Sequence, residues 1–174
     1  SACAQLSACL TLAEQWAGVS QEPAAVPCME EAVLSFLRSC EVLTSDWKQM
    51  LEHAANAPEP ENLLAYTPAL DQEIRLFTMD MLYRYYLRAA YAETPEAEIL
   101  PLQIAAFAVC IVLLYSRRLG FHTAEQRLRI WQLFVKEIEY DGDNLEELEW
   151  QLETNAAFSP AAFRAYFASL GGVQ

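Results

Sequence analysis

The chain has 174 residues, 54% of them hydrophobic and only 5 of them glycine, which suits one domain with a dense core and argues against a disordered or fibrous segment. A net charge of −13 argues against nucleic acid or an anionic membrane surface as a partner, because such a chain repels phosphates at long range. Five cysteines, an odd count with no CxxC spacing, argue against a zinc ribbon or disulfide framework and fit reduced thiols in the cytoplasm.

Taken in order, residues 3–17 are helix-compatible, with Leu6, Leu10 and Ala13 on one side. Residues 18–27 read as a linker, so that 1–27 is expected as a loosely attached helix and linker and 28–171 as the main bundle. One helix is expected from about Cys28 to Ala54, because Phe36, Cys40, Leu43, Trp47, Met50 and Ala54 recur at helical spacing. Residues 55–66, with two prolines, form a connection. Thr67-Pro68 makes an N-cap with proline at the first helical position. The helix behind it, to about Ala92, carries the stripe Leu70, Ile74, Phe77 and Met81 and a second stripe of Met79, Tyr83, Tyr86 and Ala90.

The next element dominates the sequence. Thr94-Pro95 opens another cap, Pro101 is placed in the first turn, and Ile104 to Tyr115 is an unbroken run of twelve apolar residues before Arg117-Arg118 and Gly120. A helix apolar on all sides belongs in the middle of a bundle or in a bilayer. The run is shorter than the roughly 20 residues a span requires, so a central core helix over about 101–119 is expected. Thr123 and Gln126 fit a capping box for a helix to Tyr140. That helix has Arg129, Gln132, Lys136 and Glu139 on its polar face and Trp131, Phe134, Val135 and Ile138 inside. Asp141-Gly142 turns the chain, Asp143 is expected to cap a short helix to Glu153, and Phe158-Ser159-Pro160 with Phe163 starts a last helix that ends at Gly171. Apolar spacing of three or four throughout and the absence of hairpin chemistry predict a single all-α domain of six or seven helices.

The residues offer no recognisable chemistry. His53 and His122 have no Cys or His at ligand spacing, so no metal is expected. There is no glycine-rich phosphate loop and no G-x-S-x-G elbow, so no catalytic residue is assigned. Between Glu137 and Glu153 the chain has eight carboxylates and no Lys or Arg, and helix-surface pairs such as Glu137 and Asp141 read as a solvated face. Tyr83, Arg84, Tyr86 and Arg88 combine apolar area with donors and, with Arg117 and Arg118, form a candidate recognition surface. The simpler reading packs the tyrosines in the bundle with their hydroxyls at its edge.

Three segments carry a family resemblance: Phe36-Leu37-Arg38-Ser39-Cys40-Glu41-Val42-Leu43 with Trp47, Met81-Leu82-Tyr83-Arg84-Tyr85-Tyr86, and Phe134-Val135-Lys136-Glu137-Ile138-Glu139-Tyr140 followed by Asp143-Asn144-Leu145. In content and order they resemble the C-terminal helical part of flagellin lysine-N-methylase-like proteins. Where that family has Ser-Arg before its Glu-x-Glu and His after it, this chain has Val135-Lys136 and Tyr140. The motif positions are Glu137, Glu139, Asp143 and Asn144. The resemblance implies a domain that supports methyl transfer to protein lysines, with S-adenosylmethionine as donor and flagellin as an example of a substrate. It also implies a cysteine-rich, iron–sulfur or other metal-binding segment upstream; nothing in this chain matches that segment. The chain is therefore expected as a piece of a longer protein, with the upstream domain as its partner, no cofactor of its own, and no methyl transfer by itself. Two alternatives stand beside this: a ligand-binding or dimerisation domain of a regulator, and a protein-interaction module.

Overall fold

Short polar side chains decide where this chain enters its helices. The hydroxyls of Ser1, Thr67, Thr94, Thr123 and Ser159 each accept a backbone N–H from the first turn that follows, and Asp141 does the same with its carboxylate. At Thr123 the capping box is complete, since Gln126 reaches back to the Thr123 N–H. The computed structural model describes residues 1–18, 29–58, 64–91 and 94–170. These form α1 (Ala2–Ala17), α2 (Met29–Ser39), α3 (Ser45–Asn56), α4 (Pro68–Ala90), α5 (Pro95–Leu119) and α6 (Ala124–Phe134). A π-helical turn (Val135–Glu139), α7 (Gly142–Thr154), a 3-10 turn (Ala156–Phe158) and α8 (Pro160–Ser169) complete the chain. The fold is all-α, with eight α-helices and no strand among the described residues, against the six or seven helices expected. The expected linker, the helix start at Cys28, the helix end at Ala92 and the stop at Gly171 lie outside the described residues.

The expected central helix is the axis of the bundle. Every residue from Ile104 to Tyr115 is buried, and each of the other described α-helices packs against α5. Phe107 sits at its middle, with edge-on contacts to Phe36 of α2 and Phe158, both at 5.3 Å between centroids. Gln103, the one polar interruption, is buried and donates to the carbonyls of Leu152 (2.8 Å) and Phe158 (3.1 Å), so it satisfies the end of α7. Length does not exclude a bilayer span as the sequence suggested: Ala97–Leu119 is 23 residues, and an 18-residue window within it has mean hydropathy 2.3. What marks it as a core helix is that 83% of that window is buried inside the bundle.

Three expectations need correction. Pro101 is not in the first turn, because the helix already begins at Pro95, and Pro101 lies inside α5. It has no N–H for the i−4 carbonyl, a cost that this buried helix absorbs through its packing. Second, α1 is no loose appendage. Cys3, Leu6 and Leu10 are in the core, the Ala2 N–H donates to Asp71 (2.6 Å), and α1 packs on α4, α5 and α8. Third, the single helix to Ala54 is two, broken at Cys40–Thr44. Thr44 is extended (φ −129°, ψ 146°) and caps α3, and the N–H groups of Glu41, Leu43 and Thr44 are taken by side chains far along the chain. Leu43, expected on the buried seam, is therefore exposed.

Phe107→Ala is expected to lower the unfolding free energy by about 3–5 kcal/mol through a cavity at the centre of the aromatic cluster, read as a lower urea midpoint at unchanged slope.

Candidate functional site

Sequence-distant stretches meet at the π-helical turn. A π turn inserts one residue into helical register and is frequent at functional positions. Here the Tyr140 N–H closes on the Val135 carbonyl (3.0 Å), and the shift in register brings Glu137, expected on a solvated face, fully inside the protein.

The carboxylate of Glu137 is consumed by backbone. Its Oε2 accepts from the N–H groups of Leu43 (2.7 Å) and Thr44 (3.3 Å), and its Oε1 accepts the Thr44 hydroxyl proton. The same Thr44 oxygen accepts the Trp47 N–H (3.4 Å), which ties the buried carboxylate to the start of α3. Asn144 clamps the other end of the loop. Its Oδ1 accepts from the Glu41 N–H (2.8 Å), and its Nδ2 donates to the carbonyls of Glu41 and Glu137, each at 2.8 Å. Asp141, rather than the expected Asp143, caps α7 by accepting the Asn144 N–H (2.8 Å). Asp143 is exposed in the first turn, where its charge complements the helix dipole. An Asp at the turn just before this helix is a cap signal legible in the sequence.

Glu139 faces a different neighbour. Its Oε1 accepts the Tyr85 hydroxyl (3.1 Å) and its Oε2 lies 3.4 Å from the Arg84 guanidinium, which also binds Asp80 at 3.1 Å. Burial raises the Glu139 carboxyl above the usual range, against the pull of Arg84 and Tyr85, with Asp80 adding to the rise. Arg84, Tyr85, Glu137, Glu139 and Asn144 thus connect α2–α3, α4, the π turn and α7 at one junction. The segments that carry the family resemblance supply all of these residues.

The candidate recognition surface does not assemble. Tyr83 and Tyr86 are exposed on α4 with rings 6.4 Å apart, contrary to the packing reading, and of the neighbouring tyrosines it is Tyr85 that is buried. The Arg88 side chain lies outside the described residues. Arg117 and Arg118 sit at the far end of α5, on the order of 25 Å of helix away from Arg84. There they converge on Glu30, a buried carboxylate that accepts from Arg117 (2.8 Å), Arg118 Nε (2.9 Å) and the Tyr166 hydroxyl (3.2 Å). Arg118 also reaches Glu31 (2.9 Å) and the Ala54 carbonyl (3.4 Å) at the end of α3. Nothing in the sequence around Glu30 marks it as this hub.

Among the described residues no three His, Cys, Asp or Glu come together to hold a metal ion, so these residues do not fit an iron–sulfur cluster. Burial pushes the thiols of Cys3 and Cys40 up to about 11 and about 12, so both stay protonated near neutral pH. No protein-family model, curated protein or solved structure matches the chain.

Two outcomes follow from the junction. Glu137→Ala leaves two N–H groups and a hydroxyl without their acceptor and is expected to cost about 3 kcal/mol, whereas exposed Asp143→Ala stays below about 1 kcal/mol, both read from urea unfolding. Because the folded Glu139 carboxyl is raised, its contribution to stability is present below the ordinary glutamate range near about 4.3 and is lost as pH rises through the folded value. Glu139→Gln removes that dependence. The stability difference between the two proteins should therefore move in favour of the variant as pH rises from about 4, and a flat difference contradicts the assignment.

Proposed function

We propose that this chain is the helical supporting domain of a lysine-N-methylase-like protein, with the groups that carry out methyl transfer lying in its upstream part. One observation carries the reading. The segments that resemble that family, separated by tens of residues, are bonded to one another at the π-helical junction through Glu137, Asn144, Glu139, Arg84 and Tyr85. Glu137, Glu139 and Asn144 of that motif meet in a shared internal knot while Asp143 stays exposed, an arrangement that holds a shape. Glu137 is engaged by backbone N–H groups and the Thr44 hydroxyl and Asn144 by backbone alone, so neither is placed to take a proton from a lysine amine. In this reading S-adenosylmethionine and a metal cluster, where the parent uses them, are bound upstream, and a protein lysine such as one of flagellin is the acceptor. The free thiols of Cys3, Cys9, Cys40 and Cys110 support a reducing, cytoplasmic setting. A second reading, a dimerisation or interaction module, is favoured by the exposed apolar face of α4.

The test is to incubate the chain and its full-length parent separately with a methyl-labelled sulfonium donor and a lysine-rich protein. Label on the acceptor with the parent alone is the expected result. Transfer by this chain without its parent overturns the supporting role, and no transfer by either places the interaction reading first.

A further inference from the structure

Helix α4 has two apolar faces, and its own bundle uses one. Leu70, Ile74, Phe77 and Met81 are buried against the core. On the opposite side Leu76, Met79, Tyr83, Tyr86 and Ala90 are all exposed and follow one another at alternating steps of 3 and 4 residues, and the same spacing runs back through Gln72 to Ala69. That alternation over three heptads is the seam of a helix meant to lie along another helix. The exposures are large: 57% for Leu76, 61% for Met79, 79% for Tyr83 and 55% for Tyr86, with Leu87 (52%) and Tyr91 (82%) widening the stripe. Of the thirteen large apolar residues exposed among the described ones, six lie on this one stripe, so it is a patch and not scatter.

We infer that α4 is the interface of a two-fold dimer, in which the α4 of a second copy of this chain lies parallel along the stripe. Two quantities select a second copy. The first is area. The five of these side chains at seam or flanking positions, Leu76, Met79, Tyr83, Tyr86 and Leu87, present on the order of 600 Å² together, most of what one partner contributes to a standard stable interface. Tyrosine and methionine are also the residue types enriched in such interfaces. The second is charge. Arg75 and Asp80 flank the seam at the two heptad positions that face each other across a parallel pair, and their side chains are 42% and 40% exposed. A symmetric parallel dimer therefore forms the Arg75–Asp80 pair twice. An antiparallel one sets Asp80 towards its own copy. Each carries a net charge of −13, so two copies repel wherever acidic surface meets acidic surface; an uncharged stripe with reciprocal cross-pairs keeps that repulsion small. Within one copy Arg75 binds Asp71 (3.2 Å) and Gln5 of α1, and Asp80 binds Arg84 (3.1 Å), which keeps Glu139 as a second partner; both ion pairs are i, i+4 pairs with at least one largely solvated partner, of small worth, so they can re-partner at modest cost. The inference is independent of the supporting role in methyl transfer, since association and label transfer have separate readouts.

Sedimentation equilibrium on the 174-residue chain should give a mass near twice 19.6 kDa, falling to the single-chain value on dilution. The double variant Met79→Glu with Tyr83→Glu alters exposed positions only and should keep the helical circular dichroism spectrum. It should raise the dimer dissociation constant by at least about 100-fold, because it buries like charges against each other across the seam. Leu128→Glu, at an exposed apolar residue of α6 away from the stripe, should leave the dimer intact. Arg75→Glu and Asp80→Lys should each weaken association, and their combination should restore it. A protein that is monomeric at every concentration up to the millimolar range overturns the proposal. So does a dimer that survives the seam double variant with its fold intact, and so does a failure of the charge-reversed pair to recover association.

Discussion

A helix with no polar face must be covered on every side, and that one requirement arranges the molecule. From Ile104 to Tyr115 no residue of α5 reaches solvent. Removing that much apolar surface from water is the main favourable contribution available to a domain of this size, at roughly 25 cal/mol per Å². The sheath around α5 therefore needs apolar faces from all the other described α-helices, including α1, whose short stripe is too small to stand alone. The aromatic cluster of Phe36, Phe107, Phe134 and Phe158 shows how the cover closes, since its rings come from four separate elements.

Apolar burial alone does not fix which helix goes where, because one greasy stripe fits α5 much as another does. Buried polar groups supply the addresses. Glu137 and Asn144 fasten the π turn and α7 to the loop before α3. Glu30 fastens α2 to the ends of α5 and α8. Arg127 holds Glu73 with two bonds, at 2.6 and 2.9 Å, and so fixes α6 on α4. Such groups add little net stability after desolvation, but each is costly to leave unpaired, so a misplaced helix is penalised at several points together.

The same logic separates the internal groups from the external ones. The arginines and carboxylates that stand out in the sequence mostly turn out to be internal fasteners, and the π-helical junction is a place where shape is held. What α4 offers to the outside is apolar: a stripe that its own bundle leaves uncovered, in a chain otherwise protected from association by its charge.

The sequence by itself determined the fold class, the central helix and most helix starts. All of these depend on residues within about one turn of each other, such as Thr123 with Gln126 or Ser159 with Pro160, or on an unbroken apolar run. Tertiary structure decided the rest. The break at Cys40–Thr44 exists because acceptors and donors 94 and 103 residues away outbid the helix for its backbone groups. The burial of Glu137 depends on a π turn that leaves no mark in apolar spacing, and the pairing of Arg117 and Arg118 depends on a glutamate 87 and 88 residues earlier. Helical periodicity likewise shows that α4 has two apolar stripes but not which one the core will use. That choice is made by the α5 surface it packs on, because a pattern local to one helix carries no information about the shape of its neighbour.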